Sequence, residues 1–249
     1  MMDPTATAKT LPAHAPAIRT LGRIDFEPTW RAMQSFTAAR DAQTRDELWI
    51  VEHPPVYTVG LAGRAEHFPR PDSRPMESGA APIPVVRTDR GGQITYHGPG
   101  QVIVYALIDL ARRGLKVREM VCLLEQAAID VLATHGIAAE RKAGAPGVYL
   151  ADGHLRGAKI AALGLKVKRQ GCYHGISLNV DMADAQLAPF TAIDPCGYPG
   201  LAVTSMRKLG VQAGMDAVGQ ALARRIAQAV VHVVQMTPTP CATASAVPA

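Results

Sequence analysis

Cysteine is scarce in this 249-residue chain: four residues, at positions 122, 172, 196 and 241, with no C-x-x-C pair. A long chain without a secretory signal and with so few cysteines does not suggest a disulfide framework. Cys172 and His174 lie close together, but no second pair at zinc-ligand spacing joins them, so no metal site is expected. Aromatic residues are also few, at 5%. Surfaces that stack bases interleave aromatic with basic residues, and none is present, so no nucleic-acid partner is expected. No stretch approaches the ~18 consecutive apolar residues of a membrane-spanning helix. The opening MMDPTATAKTLPAHAPAIRT lacks the apolar segment of a secretory signal and has no arginine before Arg19, unlike a transit peptide. These absences lead us to expect a cytoplasmic protein with no membrane partner.

Apolar residues make up 48% of the chain, enough for a sizeable core. The net charge is +5, from 26 basic and 21 acidic residues. It is spread along the chain except at KVKRQ (166 to 170), where Lys166 and Lys168 share one face of an expected strand. Such a surface suits an acidic partner as well as a solvated face. No repeat or linker interrupts residues 19 to 236, which we expect to form one domain. Residues 1–18 and the small, Pro-rich 237–249 are expected to be disordered extensions.

Helical composition marks 28 to 43. Amphipathic patterns mark 118 to 136, closed by Gly136, and 216 to 235. Cys122 falls on an apolar stripe and reads as a core residue. Strands are expected at 47 to 60, broken by Pro54 and Pro55, at 83 to 110 around two glycine turns, and three or four times in 147 to 181. Clustered strands with separate helices predict an α+β fold, a mixed sheet packed with helices, rather than a doubly wound parallel sheet.

Four stretches could carry chemistry. In RGGQITYHGPGQVIVY (90 to 105), Gly91, Gly92, Gly98 and Gly100 expose backbone amides at two turns, with Arg90, His97 and Gln101 as polar handles. The stretch is neither a P-loop nor a dinucleotide fingerprint. It can be two plain hairpin turns or a ligand cradle. In GAKIAALG (157 to 164), Lys159 stands in an apolar run; a desolvated lysine favours its neutral amine and could act as a base, or it could snorkel to the surface. In CYHGISLNV (172 to 180), Cys172 and His174 would share a strand face as a nucleophile–base pair or end a strand. In AIDPCGYPG (192 to 200), proline and glycine hold Cys196 on a loop, where it could be a space-filler, a ligand, half of a disulfide or a nucleophile. Cys241, in the tail, has no scaffold to activate it.

Together, RGGQITYHGPGQVIVY, KIAALG, HGISLNVD and IDPCGY resemble, in order and approximate spacing, the octanoyl-carrier-protein:protein octanoyltransferases of lipoate synthesis, over residues 19 to 236. The resemblance implies the fold of the biotin- and lipoate-protein ligase catalytic domains. It implies transfer of octanoyl from octanoyl-acyl carrier protein to one lysine of the lipoyl domains of 2-oxoacid dehydrogenases and the glycine cleavage H protein, with no cofactor. It implies Cys196 as the acyl-thioester nucleophile and Lys159 as the residue that lowers its pKa. It also implies an acyl site from Arg90, Gly91, Gly92, Gln93, Ile94, Thr95, Tyr96 and His97, from Ala162, Leu163 and Gly164, and from Gly175, Ile176 and Ser177. Acyl carrier proteins are acidic as a class, so the run at Lys166, Lys168 and Arg169 would steer the donor. The alternative on this fold is an ATP-dependent lipoate- or biotin-protein ligase, which needs no cysteine nucleophile. HGPGQ stands where lipoate ligases typically resemble H-D-x-G-N, which favours the transferase.

Overall fold

The computed structural model describes residues 14–69, 82–169, 171–194 and 200–232. Among these residues, ten strands form two sheets. The larger has seven strands in the order β1 (Ala17–Arg23), β2 (Glu47–Glu52), β6 (Gln101–Leu107), β10 (Gly171–Asn179), β9 (Lys159–Lys168), β8 (Ala145–Leu150), β7 (Ala139–Lys142). β1 and β2 run parallel and every other pair is antiparallel, so the sheet is mixed. The smaller sheet has the order β4 (Val85–Arg87), β3 (Val56–Val59), β5 (Ile94–His97). Pro54 and Pro55 therefore separate strands of different sheets. The two glycine turns likewise pass the chain from β4 through β5 to β6, from the small sheet to the large.

β6 shows why the large sheet is covered on both faces. All seven of its residues are buried. Val102, Val104 and Ala106 join the apolar cluster under α2 (Val117–Thr134) and α4 (Met215–His232), while Ile103, Tyr105 and Leu107 join Met33 of α1 (Phe26–Ala38) on the opposite face. This is the period-2 alternation of a strand applied to two apolar faces. α2 starts where the Glu119 carboxylate accepts the Lys116 amide at 2.7 Å, and it ends at Gly136 in the left-handed conformation (φ 73°). α4 lies so near the sheet that a Cβ on Gly219 would come within 2.8 Å of Ile50. Cys122, expected in the core, is half-buried on α2 and disulfide-bonded, contrary to the expectation of a chain without disulfides.

β1 begins at Ala17, two residues before the expected domain start. The expected tail at 237–249 lies outside the described residues. At one end of the sheet a fully buried carboxylate, Asp46, gathers three arginines from two other segments. Arg112 Nη2 donates to it at 2.8 Å, Arg113 Nε at 2.7 Å, and Arg40 Nη2 also bonds it. Asp46 also accepts the Asp109 amide at 2.9 Å, so it ties the start of β2 to the turn after β6. Removing the carboxylate would leave buried guanidiniums uncompensated. We expect Asp46→Ala to lower unfolding free energy by about 3–5 kcal/mol in urea titrations. Arg19→Ala, which breaks an exposed ion pair with Glu47, should cost at most about 1 kcal/mol.

Candidate active site

β5, β9, β10 and the glycine turns enclose a cleft. Its walls include Phe26, Arg90, Gly92, Gln93, Ile94, Thr95, His97, Ile103 and Tyr105 on one side. Ala162, Leu163, Gly164, His174, Gly175, Ile176 and Ser177 complete it. The first glycine turn is fastened to β9 by the Gly91 amide, which donates to the Leu165 carbonyl at 2.9 Å. On the floor, a Cβ at Gly175 would stand 2.0 Å from the Val104 carbonyl oxygen, so only glycine fits there. The preceding residue, His174, is the one non-glycine with positive φ (63°) among the described residues. Strand alternation would put Tyr173 and His174 on opposite faces. The left-handed backbone turns His174 so that both reach Asp89, from opposite ends of its carboxylate.

Asp89 accepts four side-chain hydrogen bonds: from Trp30 Nε1 (2.9 Å), Gln34 Nε2 (3.2 Å), His174 Nε2 (3.1 Å) and the Tyr173 hydroxyl. Burial alone would raise this carboxyl, but the four donors outweigh it and hold it well below the usual carboxylate range. His53 donates Nδ1–H to the Ile24 carbonyl (2.6 Å) and accepts the Tyr105 hydroxyl at Nε2 (2.7 Å). Burial pushes His53 down to about 4, against an opposing bond to Ile24. His97 bonds Gln101 Oε1 through Nδ1 at 2.6 Å. Burial, then repulsion by His53, pushes it down to about 3. Arg90 is buried and grips the small sheet through the Thr58 hydroxyl (3.0 and 3.2 Å) and carbonyl, and the Gly91 carbonyl (3.0 Å).

Lys159 opens β9 behind this cleft and does not snorkel; the whole residue is 3% exposed. A small cavity lined by Lys159, Gln101, Ala161, Asn179, Phe190 and Val203 shares Thr95 and Ala162 with the cleft. Lys159 Nζ donates to the Pro146 carbonyl (2.9 Å) and lies 5.2 Å from the centre of the Tyr149 ring. Room for it exists because residue 147 is glycine, with φ 138°; a Cβ there would stand 2.4 Å from Lys159 Cε. The Gly147 amide is itself held by the buried Glu125 carboxylate (2.8 Å), which pairs with Arg141 (3.2 Å). The Lys159 backbone pairs with the segment after residue 200: its amide bonds Ala202 O, and its carbonyl receives the Thr204 amide.

Twelve of the fourteen residues expected to form the acyl site line the cleft. Tyr96 does not: its ring packs in the apolar cluster with Tyr57 and Phe190. Gly91 does not line it either and instead anchors the turn to β9. Cys196 falls in residues 195–199, outside the described residues. On the described flanks, Phe190 and Val203 both line the small cavity with Lys159. The Cys172–His174 pair is excluded. Cys172 is buried under α2 and α4 with its thiol pushed up to about 12 by burial, while His174 turns to Asp89 on the other face. Phe26, Ile103, Tyr105, His53 and Asp89 were not anticipated. For Asp89, the signal was a lone acid between two arginines, RTDRGG. Ile103 and Tyr105 lie in the apolar run of an expected strand, His53 directly precedes Pro54, and Phe26 stands just before the expected helical stretch. Among the described residues no group of His, Cys, Asp or Glu could hold a metal ion, and no helix is long and apolar enough to cross a membrane.

The lipoyl protein ligase A/B catalytic domain family matches residues 25–227. The chain is 55% identical over 213 residues to an octanoyltransferase of Aromatoleum aromaticum, covering 85% of each. Its fold resembles a putative lipoate protein ligase of T. acidophilum with bound lipoic acid, at TM-score 0.64 and 14% identity, over 87% of this chain and 86% of that one. It also resembles the Aquifex aeolicus biotin protein ligase in complex with biotin and ATP, at TM-score 0.51 and 9% identity, over 88% and 72%. These two likenesses concern the fold, and that fold is the α+β arrangement the strand clusters predicted.

The buried neutral histidines make stability depend on pH. Unfolded histidine takes a proton near 6.5, but folded His53 takes one only near 4. Between those values the unfolded state binds more protons, so stability falls as pH drops through the window and is level above it. For His53 this amounts to roughly 3 kcal/mol, at 1.36 kcal/mol per pKa unit. Glu125, raised by burial, acts in the opposite sense. Urea midpoints measured from pH 7.5 to 4.5 should therefore decline on acidification, and less steeply in His53→Gln.

Proposed function

The chain belongs to the lipoyl protein ligase A/B catalytic domain family and is an acyltransferase that moves octanoyl groups in protein lipoylation; from that premise we propose that it takes octanoyl from octanoyl-acyl carrier protein and passes it to one lysine of a lipoyl domain through a thioester on Cys196. The acceptors are the lipoyl domains of 2-oxoacid dehydrogenases and the glycine cleavage H protein.

The observation that carries this reading is the enclosure of Lys159 in a cavity that shares Thr95 and Ala162 with an apolar cleft. In the first half-reaction the Lys159 amine accepts the Cys196 thiol proton and the sulfur attacks the donor thioester carbon. The tetrahedral intermediate collapses, expelling the carrier protein's thiolate, which takes up a proton. One thioester replaces another of similar energy, so no ATP is consumed. In the second half-reaction the acceptor lysine attacks as a neutral amine, the C–N bond forms, the C–S bond breaks, and the amine's proton returns to the sulfur through Lys159. Ile94, Leu163, Ile176 and Phe26 offer the octanoyl chain an apolar wall. Burial at ~0.8 kcal/mol per CH₂ supplies several kcal/mol of binding.

Mixing the protein with octanoyl-carrier protein should give one octanoyl adduct by intact mass, absent in Cys196→Ala. An adduct that persists in that variant would contradict the assignment. Modification of a lipoyl domain from free octanoate and ATP alone would support the ligase alternative instead. Gly147→Ala, which drives a Cβ into Lys159, should reduce octanoylation at least tenfold while Gly153→Ala, at an open turn with nothing within 4 Å, leaves the adduct yield largely unaltered.

A further inference from the structure

Every proton in the hydrogen-bond chain that ends at His97 can be assigned, starting from its far end. The Thr204 carbonyl can only accept, and it takes the Asn179 Nδ2 hydrogen at 2.8 Å. Asn179 therefore turns Oδ1 toward Gln101, whose Nε2 donates to it at 2.8 Å. The remaining hydrogen of Gln101 Nε2 reaches the Tyr96 carbonyl at 3.4 Å. That leaves Gln101 Oε1, an acceptor, 2.6 Å from His97 Nδ1, so Nδ1 carries the proton. A neutral imidazole has one N–H, and Nε2 is bare. Protonating it would add a cation to a site that already feels Arg90 and His53.

The chain is well enclosed: Gln101 is 1% exposed and Asn179 4%. Both line the small cavity with Lys159, while His97 lines the cleft. The two other histidines near the cleft, His53 and His174, are committed elsewhere. His53 Nε2 takes the Tyr105 hydroxyl, and His174 Nε2 donates to Asp89. Among the described residues nothing bonds His97 Nε2.

We infer that Gln101 and Asn179 are positioning residues that lock His97 as its Nδ1–H tautomer, so that the bare Nε2 accepts a hydrogen bond from the N–H of the attacking lysine amine. As the C–N bond forms, the nitrogen gains positive charge and its N–H becomes a stronger donor. His97 Nε2 receives that hydrogen bond but not the proton, which passes through Lys159 to the Cys196 sulfur as the C–S bond breaks. The tautomer follows from bonds within the protein; only the identity of the donor rests on the octanoyl-transfer reading.

The full-length protein labelled with ¹⁵N-histidine tests the tautomer by long-range ¹H–¹⁵N correlation, with His97 assigned by its loss in His97→Gln. From pH 5.5 to 8, Nδ1 should be protonated and Nε2 bare. Gln101→Leu and Asn179→Ala should each give a mixed or Nε2–H tautomer. An Nε2–H signal in the wild type, or an unaltered tautomer in both variants, overturns the inference. Single-turnover transfer from the octanoyl-enzyme to a lipoyl domain tests the role. Gln101→Leu should slow it at least tenfold more than it slows octanoylation, and Gln101→Glu, which keeps an oxygen for Nδ1–H, should recover much of the loss. Equal slowing of both half-reactions overturns the amine role. If the wild type forms no octanoyl-enzyme, the transferase reading fails, and the spectra still decide the tautomer.

Discussion

A primary amine enclosed within a sheet is the constraint on which the rest of this architecture depends. Lys159 carries its amine where water scarcely reaches, and burying such a group without partners is costly. The fold answers with a carbonyl at Pro146, the face of Tyr149, and the absence of a side chain at residue 147. The last of these is in turn stabilised by Glu125 from α2, whose carboxylate caps the Gly147 amide. A helix on one face of the sheet thus determines the space available to an amine at the edge of a cleft on the other. The chemistry proposed for Lys159 needs that enclosure, because desolvation is what makes a lysine amine a usable base near neutral pH.

The same division of labour runs through β6 and β10. One face of each packs under α2 and α4, and supplies rigidity. The other face forms the floor of the cleft. Where the two strands meet, the chain departs from regular geometry: Gly175 approaches the Val104 carbonyl too closely for any Cβ, and His174 adopts a left-handed backbone. Strain of this kind persists only where surrounding bonds over-determine it. Here the surrounding bonds come from Asp89, itself held by four donors from α1 and β10.

Much of this was legible in sequence because it depends on local patterning. The amphipathic stretches gave the two long helices within a few residues, Gly136 marked the end of one, and the broken run at Pro54 and Pro55 marked a change of sheet. The glycine-rich turn and the KIAALG strand carried enough character to gather most of the cleft. What was not legible depends on partners distant in sequence. Cys172 and His174, two apart on a strand, read as a same-face pair, and one positive φ separated them. Tyr96 was expected in the acyl site from its place in the motif, yet its ring packs against Tyr57 and Phe190 in the core. Asp89 and His53 draw their character from contacts made across tens of residues, which no spacing rule encodes. Whether Lys159 would be enclosed or would reach solvent was open on local sequence, because the answer lay in a glycine twelve residues earlier.

The central claim is that the enclosed Lys159 amine lowers the pKa of the Cys196 thiol. The direct measurement is the pH dependence of Cys196 alkylation, followed by peptide mass spectrometry, in the wild type and in Lys159→Met. The account predicts a wild-type midpoint below the ordinary thiol value of about 8.5 and a rise of at least about one unit in the variant, with the fold retained. Superimposable profiles for the two proteins would contradict it.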